Sequence, residues 1–214
     1  MDVVILGAGG HGRVVLDILR SSGKYQPVAF LDANETLANC EIAGLAVLGS
    51  VNQLPRLAQK IRRAIVAIGD NRIRRSYARL AEDAGMELIN AIHPSSAVSA
   101  TASLGRNIVI GPGAVVCTDA RIADSVIVNS GAIIDHECEI GEGAHICPGA
   151  ILAGRVRIGA GAFVGMGAKI IQCISVGEDA TVGAGAVALR DVAAGTTVVG
   201  VPARATKSLA RAAG

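Results

Sequence analysis

One of the four histidines in this 214-residue chain stands between two carboxylates, in Ile134-Asp135-His136-Glu137-Cys138. An imidazole titrates near neutrality, and an adjacent carboxylate holds its tautomer and favours the charged ring, so the trio suits removal of a proton from an attacking amine or hydroxyl. Either Asp135 or Glu137 is placed to be the orienting acid, and the structural alternative is an exposed histidine on a surface turn. His145 follows in Gly143-Ala144-His145-Ile146-Cys147. His11 lies in Gly7-Ala8-Gly9-Gly10-His11-Gly12, a Gly-x-Gly-x-x-Gly turn after an apolar run and before a helical pattern, where backbone N–H groups cradle phosphate. Capping that helix is the alternative role for His11, and His93, before Pro94, serves a turn. Asp32 ends the next apolar run, where a ribose hydroxyl would be met. The five cysteines (Cys40, Cys117, Cys138, Cys147, Cys173) are odd in number and show no C-x-x-C spacing, which reads as reduced thiols in a cytoplasmic protein with no metal site.

These side chains need a frame. Residues 1–93 alternate strand and helix patterns: Val3-Val4-Ile5-Leu6, the glycines, then a helix over 13–22 with Val14, Val15, Ile18 and Leu19 at helical spacing and Gly23 as its stop. A strand over 27–31 ends at Asp32, and another over 64–68 runs into Gly69-Asp70-Asn71, which opens an arginine-rich helix. This is an α/β, Rossmann-like βαβ domain of nucleotide-binding type. Arg72, Arg74 and Arg75 lie near phosphate if that helix starts at Asp70; a solvated helix face is the alternative. The domain is too short for a full doubly wound sheet and no second domain for hydride transfer follows, which excludes a dinucleotide oxidoreductase.

From Val98 the helical pattern stops and an apolar residue returns every six positions, through Leu104, Ile110, Val116, Ile134, Ile140 and Ile146 to Val182. Four places after each stands a small or β-branched residue, as at Ala114, Ala132, Cys138 and Ala144. A hexad with one apolar and one small slot fits a solenoid of three short strands per coil, about eighteen residues a turn and roughly five coils over residues 94–214. It also explains how a chain with no Trp, two Phe, two Tyr and 27 Gly builds a core. In this register His136 points outside near a corner, and Cys138 points inward, where burial raises a thiol pKa and makes it filling and not a nucleophile.

The repeats Ile110-Gly111-Pro112-Gly113-Ala114 and Val182-Gly183-Ala184-Gly185-Ala186 resemble those of the left-handed parallel β-helix, hexapeptide-repeat acyltransferases. With the N-terminal glycine turn, the joint Ile92-His93-Pro94-Ser95 and the ending Val199-Gly200-Val201-Pro202-Ala203, the whole chain resembles the nucleotide-sugar and sialic acid acetyltransferase family. That resemblance implies an acetyl-CoA-dependent N-acetyltransferase acting on the 4-amino group of a UDP-linked amino sugar in surface glycan synthesis. It places the general base at His136 with Glu137 beside it. It brings His145 to acetyl-CoA and the backbone of Gly165, Met166, Gly183 and Ala184 to the pantetheine arm. Gly9, Gly10 and His11 would touch the nucleotide sugar, with Asp32, Gly69 and Asn71 near the uridine and Asn129 near the sugar. The family's homotrimer, with acetyl-CoA between subunits, would bury outward apolar groups such as Ile133, Ile151, Phe163 and Ile171, which are costly to leave in water as a patch.

The remaining exclusions come from composition. A net charge of +2, with no Lys/Arg run among aromatics, argues against nucleic acid. No apolar run is long enough to span a bilayer, and the start of the chain lacks the basic leader of an export signal. Two other functions stay open: O-acetylation of sialic acid, which would leave the nucleotide-type domain without a use, and a non-catalytic solenoid scaffold, against which the Asp-His-Glu trio speaks.

Overall fold

A computed structural model describes residues 1–206; the end of the second domain, 207–214, lies outside the described residues. Strand β1 (Asp2–Leu6) carries four fully buried apolar residues because both its faces are covered. Val3 and Ile5 pack toward α1 (Gly10–Ser22), whose Val15, Leu16, Ile18 and Leu19 are buried at helical spacing. Gly23, in the left-handed region at φ 62°, ends that helix and lets the chain turn into β2 (Gln26–Leu31). A short hairpin, β3 (Glu41–Ile42) and β4 (Leu45–Ala46), and one helical turn, α2 (Leu54–Leu57), lead to β5 (Arg63–Val66). Helix α3 (Asn71–Asp83) and β6 (Glu87–Leu88) complete a parallel sheet in the order β2-β1-β5-β6. Val4 and Leu6 face the α2 and α3 side. The strand order reverses between β1 and β5, so the crevice at their carboxyl ends is where a sheet of this kind takes a ligand.

The solenoid consists of two-residue strands, with one of three residues at Thr197–Val199, stacked into three parallel sheets of eight, six and five strands, the eight including an antiparallel last strand, Arg204–Ala205. Within each strand the second residue points inward: Ile134, Ile140 and Ile146 are at most 2% exposed. The small slots Ala114, Ala132, Cys138 and Ala144 are fully buried. Each inward Ile, Leu or Val contributes about 1.5–3 kcal/mol through burial. The first coil begins one strand ahead of the 93/94 boundary, because Ala91–Ile92 already pairs with Val109–Ile110 and Ile92 stands six places before Val98.

The outward residues give each face a character. On one face, Val109 and Ile127 are buried beneath the α1 layer of the first domain; this is the docked face. The second presents Val115, Ile133, Ile151, Lys169 and Val187 and, with one lysine among aliphatic residues, is the apolar face. The third presents Arg121, Glu139 and Arg157 and is the charged face. Between docked and apolar faces the corner residue in the left-handed region is glycine in successive coils, including Gly131, Gly149 and Gly167. Between apolar and charged faces the same slot holds Asp119, Glu137, Arg155 and Cys173, with φ from 57° to 61°. A side chain in that region costs on the order of 1–2 kcal/mol, which marks this corner as one where side chains are needed.

Candidate active site

His136 sits on that strained corner, between the strands Ile133–Ile134 and Glu139–Ile140, with its side chain half exposed. Its Nδ1 lies 3.0 Å from Glu137 Oε2, and its backbone N–H donates to Asp135 Oδ1 at 2.7 Å. Glu137 is therefore the acid that orients the ring, and Asp135 braces the main chain. The same Glu137 oxygen accepts Arg155 Nε–H at 3.1 Å from the next coil. Hydrogen bonds from His136 and then Arg155 hold the Glu137 carboxyl below the usual carboxylate range, so it stays ionised and keeps the His136 proton on Nδ1. Nε2 is left unprotonated and able to accept a proton. Cys138 is buried, donates to Ala153 O at 3.2 Å and is pushed up to about 11 by burial, so it is no nucleophile.

His145 also leaves its coil outward, but on the docked face, where the first domain covers it to 9% exposure. Asn129 Nδ2 lies 3.1 Å from His145 Nε2, and the Phe163 ring stands edge-on at 5.3 Å. In that amide orientation Nε2 accepts and the proton is on Nδ1, which faces the Gly69 carbonyl without reaching hydrogen-bond geometry. His11 approaches the same seam from the start of α1, and its Nε2 is likewise buried and unpartnered. Burial, then the neighbouring Arg74 cation, brings His11 down to about 4 and His145 to about 3.

Arg74 departs most from the sequence expectation. It is not on a solvated face but fully buried where α3 meets the solenoid, with its guanidinium spent on carbonyl oxygens. Its guanidinium donates to Ser125 O and Gly143 O at 2.8 Å each, one coil apart, and to Ile68 O and Gly69 O at 2.9 and 3.0 Å. Asn71 is redirected for the same reason. Its Nδ2 donates to Gly161 O at 2.8 Å and its Oδ1 receives Arg74, so its side chain is committed to the seam and not to a nucleotide. Arg75 pairs with Glu142 at 3.3 Å on the same side. On α3 it is the residues that look like core, Ile73 and Leu80, that are exposed, at 46% and 45%.

At the switch point a cavity of about 340 Å³ is lined by Gly9, Gly10, His11, Asp32, Gly69 and Tyr77, among others. No side chain caps the first turn of α1, which leaves its N–H groups to the cavity. Gly12 lies against the Gly7 carbonyl, where a Cβ would collide. Asp32 differs from expectation in part: its two oxygens accept Ala8 N–H at 2.7 Å and Asn34 N–H at 2.8 Å, so it braces the glycine turn and has only its remaining lone pairs for a hydroxyl. Gly165-Met166 and Gly183-Ala184 stack on each other at the glycine corner, with Met166 61% exposed. A larger open groove of about 720 Å³ lies on the charged face, but its Arg121 and Arg157 pair with Glu139 at 3.4 and 3.5 Å and carry no reactive group. Among the described residues no group of three or more His, Cys, Asp or Glu is arranged to hold a metal, and no helix is long and apolar enough to cross a membrane.

A parallel β-helix with an acid-oriented histidine on an exposed corner, joined to a phosphate-turn domain, defines a hexapeptide-repeat acetyltransferase. Residues 2–80 match the family model described as the PglD N-terminal domain. The chain is similar to PerB from Caulobacter crescentus, solved in complex with CoA and GDP-perosamine, with 40% identity and a TM-score of 0.92 over 96% of this chain and 97% of that one. The acetyltransferase domain of PglB from Neisseria gonorrhoeae, in complex with acetyl coenzyme A, is 36% identical with a TM-score of 0.90 over 96% of this chain and 98% of that one. A curated relative, UDP-N-acetylbacillosamine N-acetyltransferase of Bacillus subtilis, is 34% identical over 113 residues, 51% of this chain and 50% of the relative, so the match spans about half of each. The chain belongs to this family of sugar N-acetyltransferases.

The neutral imidazoles at the seam fix the sign of a pH effect. Both are held below the ordinary 6.5, so the unfolded chain binds more protons from there down to about 4, and stability falls as pH drops through that window. Tm should therefore decline from pH 6.5 to 4, with a shallower slope in His145→Asn. An equal slope in both would show that His145 is not held neutral by the fold.

Proposed function

We propose that the chain transfers the acetyl group of acetyl-CoA to the amino group of a sugar carried on a nucleoside diphosphate, for a surface glycan, in the cytoplasm. The observation that carries this reading is the His136–Glu137 pair at 3.0 Å, which leaves Nε2 free on an exposed corner. The amine attacks the thioester carbonyl carbon, and Nε2 takes the amine proton. The C–S bond then breaks, and the imidazolium returns the proton to the CoA sulfur as the amide forms. A backbone N–H is left to stabilise the oxyanion on the thioester oxygen, since the Nδ1–H of His145 is buried against the first domain. The first turn of α1 and His11 take the diphosphate side of the acceptor, with Asn129 holding His145 in its tautomer.

His136 lies at the corner opposite the docked face, whereas the nucleotide cavity and His145 belong to the docked side. One chain therefore does not bring the two halves together, and a second copy must. Between the His136 corner and the glycine corner of Gly165-Met166 and Gly183-Ala184 runs the apolar face, with Ile151 36% exposed. Packing that face against a neighbour joins one copy's base to another's cavity and gives acetyl-CoA a groove between them. The reading is a homotrimer with the active sites between subunits.

The test is thiol release from acetyl-CoA with UDP- and GDP-linked amino sugars and with sialic acid. Release with a nucleotide amino sugar is expected. Release with sialic acid alone would favour O-acetylation, and silence throughout would favour a scaffold. The relatives are named for both a UDP and a GDP sugar, so the panel also decides the base.

A further inference from the structure

Resting on His136 as the base, the structure assigns two positioning residues to the coil after it. We infer that Gly154 and Arg155 seat the His136 ring and clamp Glu137. Coils are eighteen residues apart, so Gly154 stacks on His136 and Arg155 on Glu137, and Arg155 N–H donates to the His136 carbonyl at 2.9 Å. Nothing in the solenoid itself asks for glycine at 154. Its φ is not in the left-handed region, and the equivalent slot holds Ala100, Thr118, His136 and Gln172 in the other coils. What asks for it is the ring: a Cβ on Gly154 would collide with His136 Nε2 and Cε1. The glycine hydrogen thus leaves the one place where the basic nitrogen rests.

Arg155 works through the acid. It occupies the same strained corner slot as Glu137, at φ 59°, and its Nε–H reaches the Oε2 that also faces His136 Nδ1. The carboxylate is thereby tethered from two sides. The charged and titratable groups around His136 are Glu137 and Asp135 on its own corner, Arg155 from the next coil and Asp119 from the one before. With Arg155 removed, Glu137 keeps only its contact to His136, and the ring it orients is held less firmly.

The experiment compares wild type, Gly154→Ala, Arg155→Ala, Arg155→Lys and His136→Ala by steady-state kinetics across pH, with CoA affinity and Tm as controls of folding. Gly154→Ala should lower kcat about 100-fold, as expected of a misplaced base, with CoA affinity and Tm near wild type. Arg155→Ala should lower kcat about two- to fivefold, the range an exposed ion pair supports, with the KM for acetyl-CoA unchanged, while Arg155→Lys restores kcat. If His136→Ala is inactive while Gly154→Ala and Arg155→Ala keep wild-type kcat, the positioning roles are wrong and the base assignment stands. If His136→Ala retains full activity, the underlying reading fails first.

Discussion

Replacing His136 with alanine is expected to lower kcat by about 10²–10⁴, the contribution of a positioned general base, while leaving the fold and CoA affinity intact. The ring is half exposed on a corner, and its side chain makes no hydrogen bond except to Glu137, so its removal opens no core cavity. A protonated amine cannot attack a thioester, and without a base the proton must leave to water. The effect therefore falls on kcat. A substantial rise in KM with little change in kcat would mean that His136 binds substrate and does not remove the proton. Glu137→Gln should fall between the two, because the amide can still meet Nδ1 but no longer favours the imidazolium.

Arg74→Ala should show the largest loss of stability, about 3 kcal/mol or more. The guanidinium saturates carbonyls from two sides of the seam: Ser125 and Gly143 in the solenoid, Ile68 and Gly69 in the turn after β5. None of these four carbonyls takes part in another backbone hydrogen bond. Among the described residues no carboxylate pairs with Arg74, and burial pushes it down to about 10. Its cost of desolvation is met by this carbonyl cage together with Asn71 Oδ1. A lysine has one ammonium and cannot span the same acceptors, so Arg74→Lys should recover little. Denaturant melts of both variants decide this. Midpoints within the error of wild type would show that apolar contacts of α1 with Val109 and Ile127 hold the domains together without the arginine.

The solenoid was legible because its signal is a strict period. One register from Val98 to Val182 fixes the inward residues of that stretch and puts His136 outside on a corner and Cys138 inside. Neighbours one coil away were equally available from the same period, and a spacing of eighteen leads from His136 to Gly154 and from Glu137 to Arg155. What the period does not carry is which face another domain covers. His145 and Arg121 occupy equivalent outward slots, yet one is buried beneath the first domain and the other is exposed. The hint lay in apolar outward residues on neighbouring coils, Val109 and Ile127. Helix α3 hid its role for the opposite reason: its interface is polar, so apolar spacing does not mark it, and Arg74 makes the contact while Ile73 and Leu80 are exposed. The β3 and β4 hairpin went unread because two residues per strand give alternation nothing to act on.

The most direct measurement is the mass and NMR spectrum of the sugar after incubation with acetyl-CoA, run with wild type and with His136→Ala. The account expects an acetyl amide on the amino group of the nucleotide-linked sugar with wild type, and only a trace with the variant in the same time. An ester in place of the amide, no acetylated sugar at all, or equal product from the variant would contradict it.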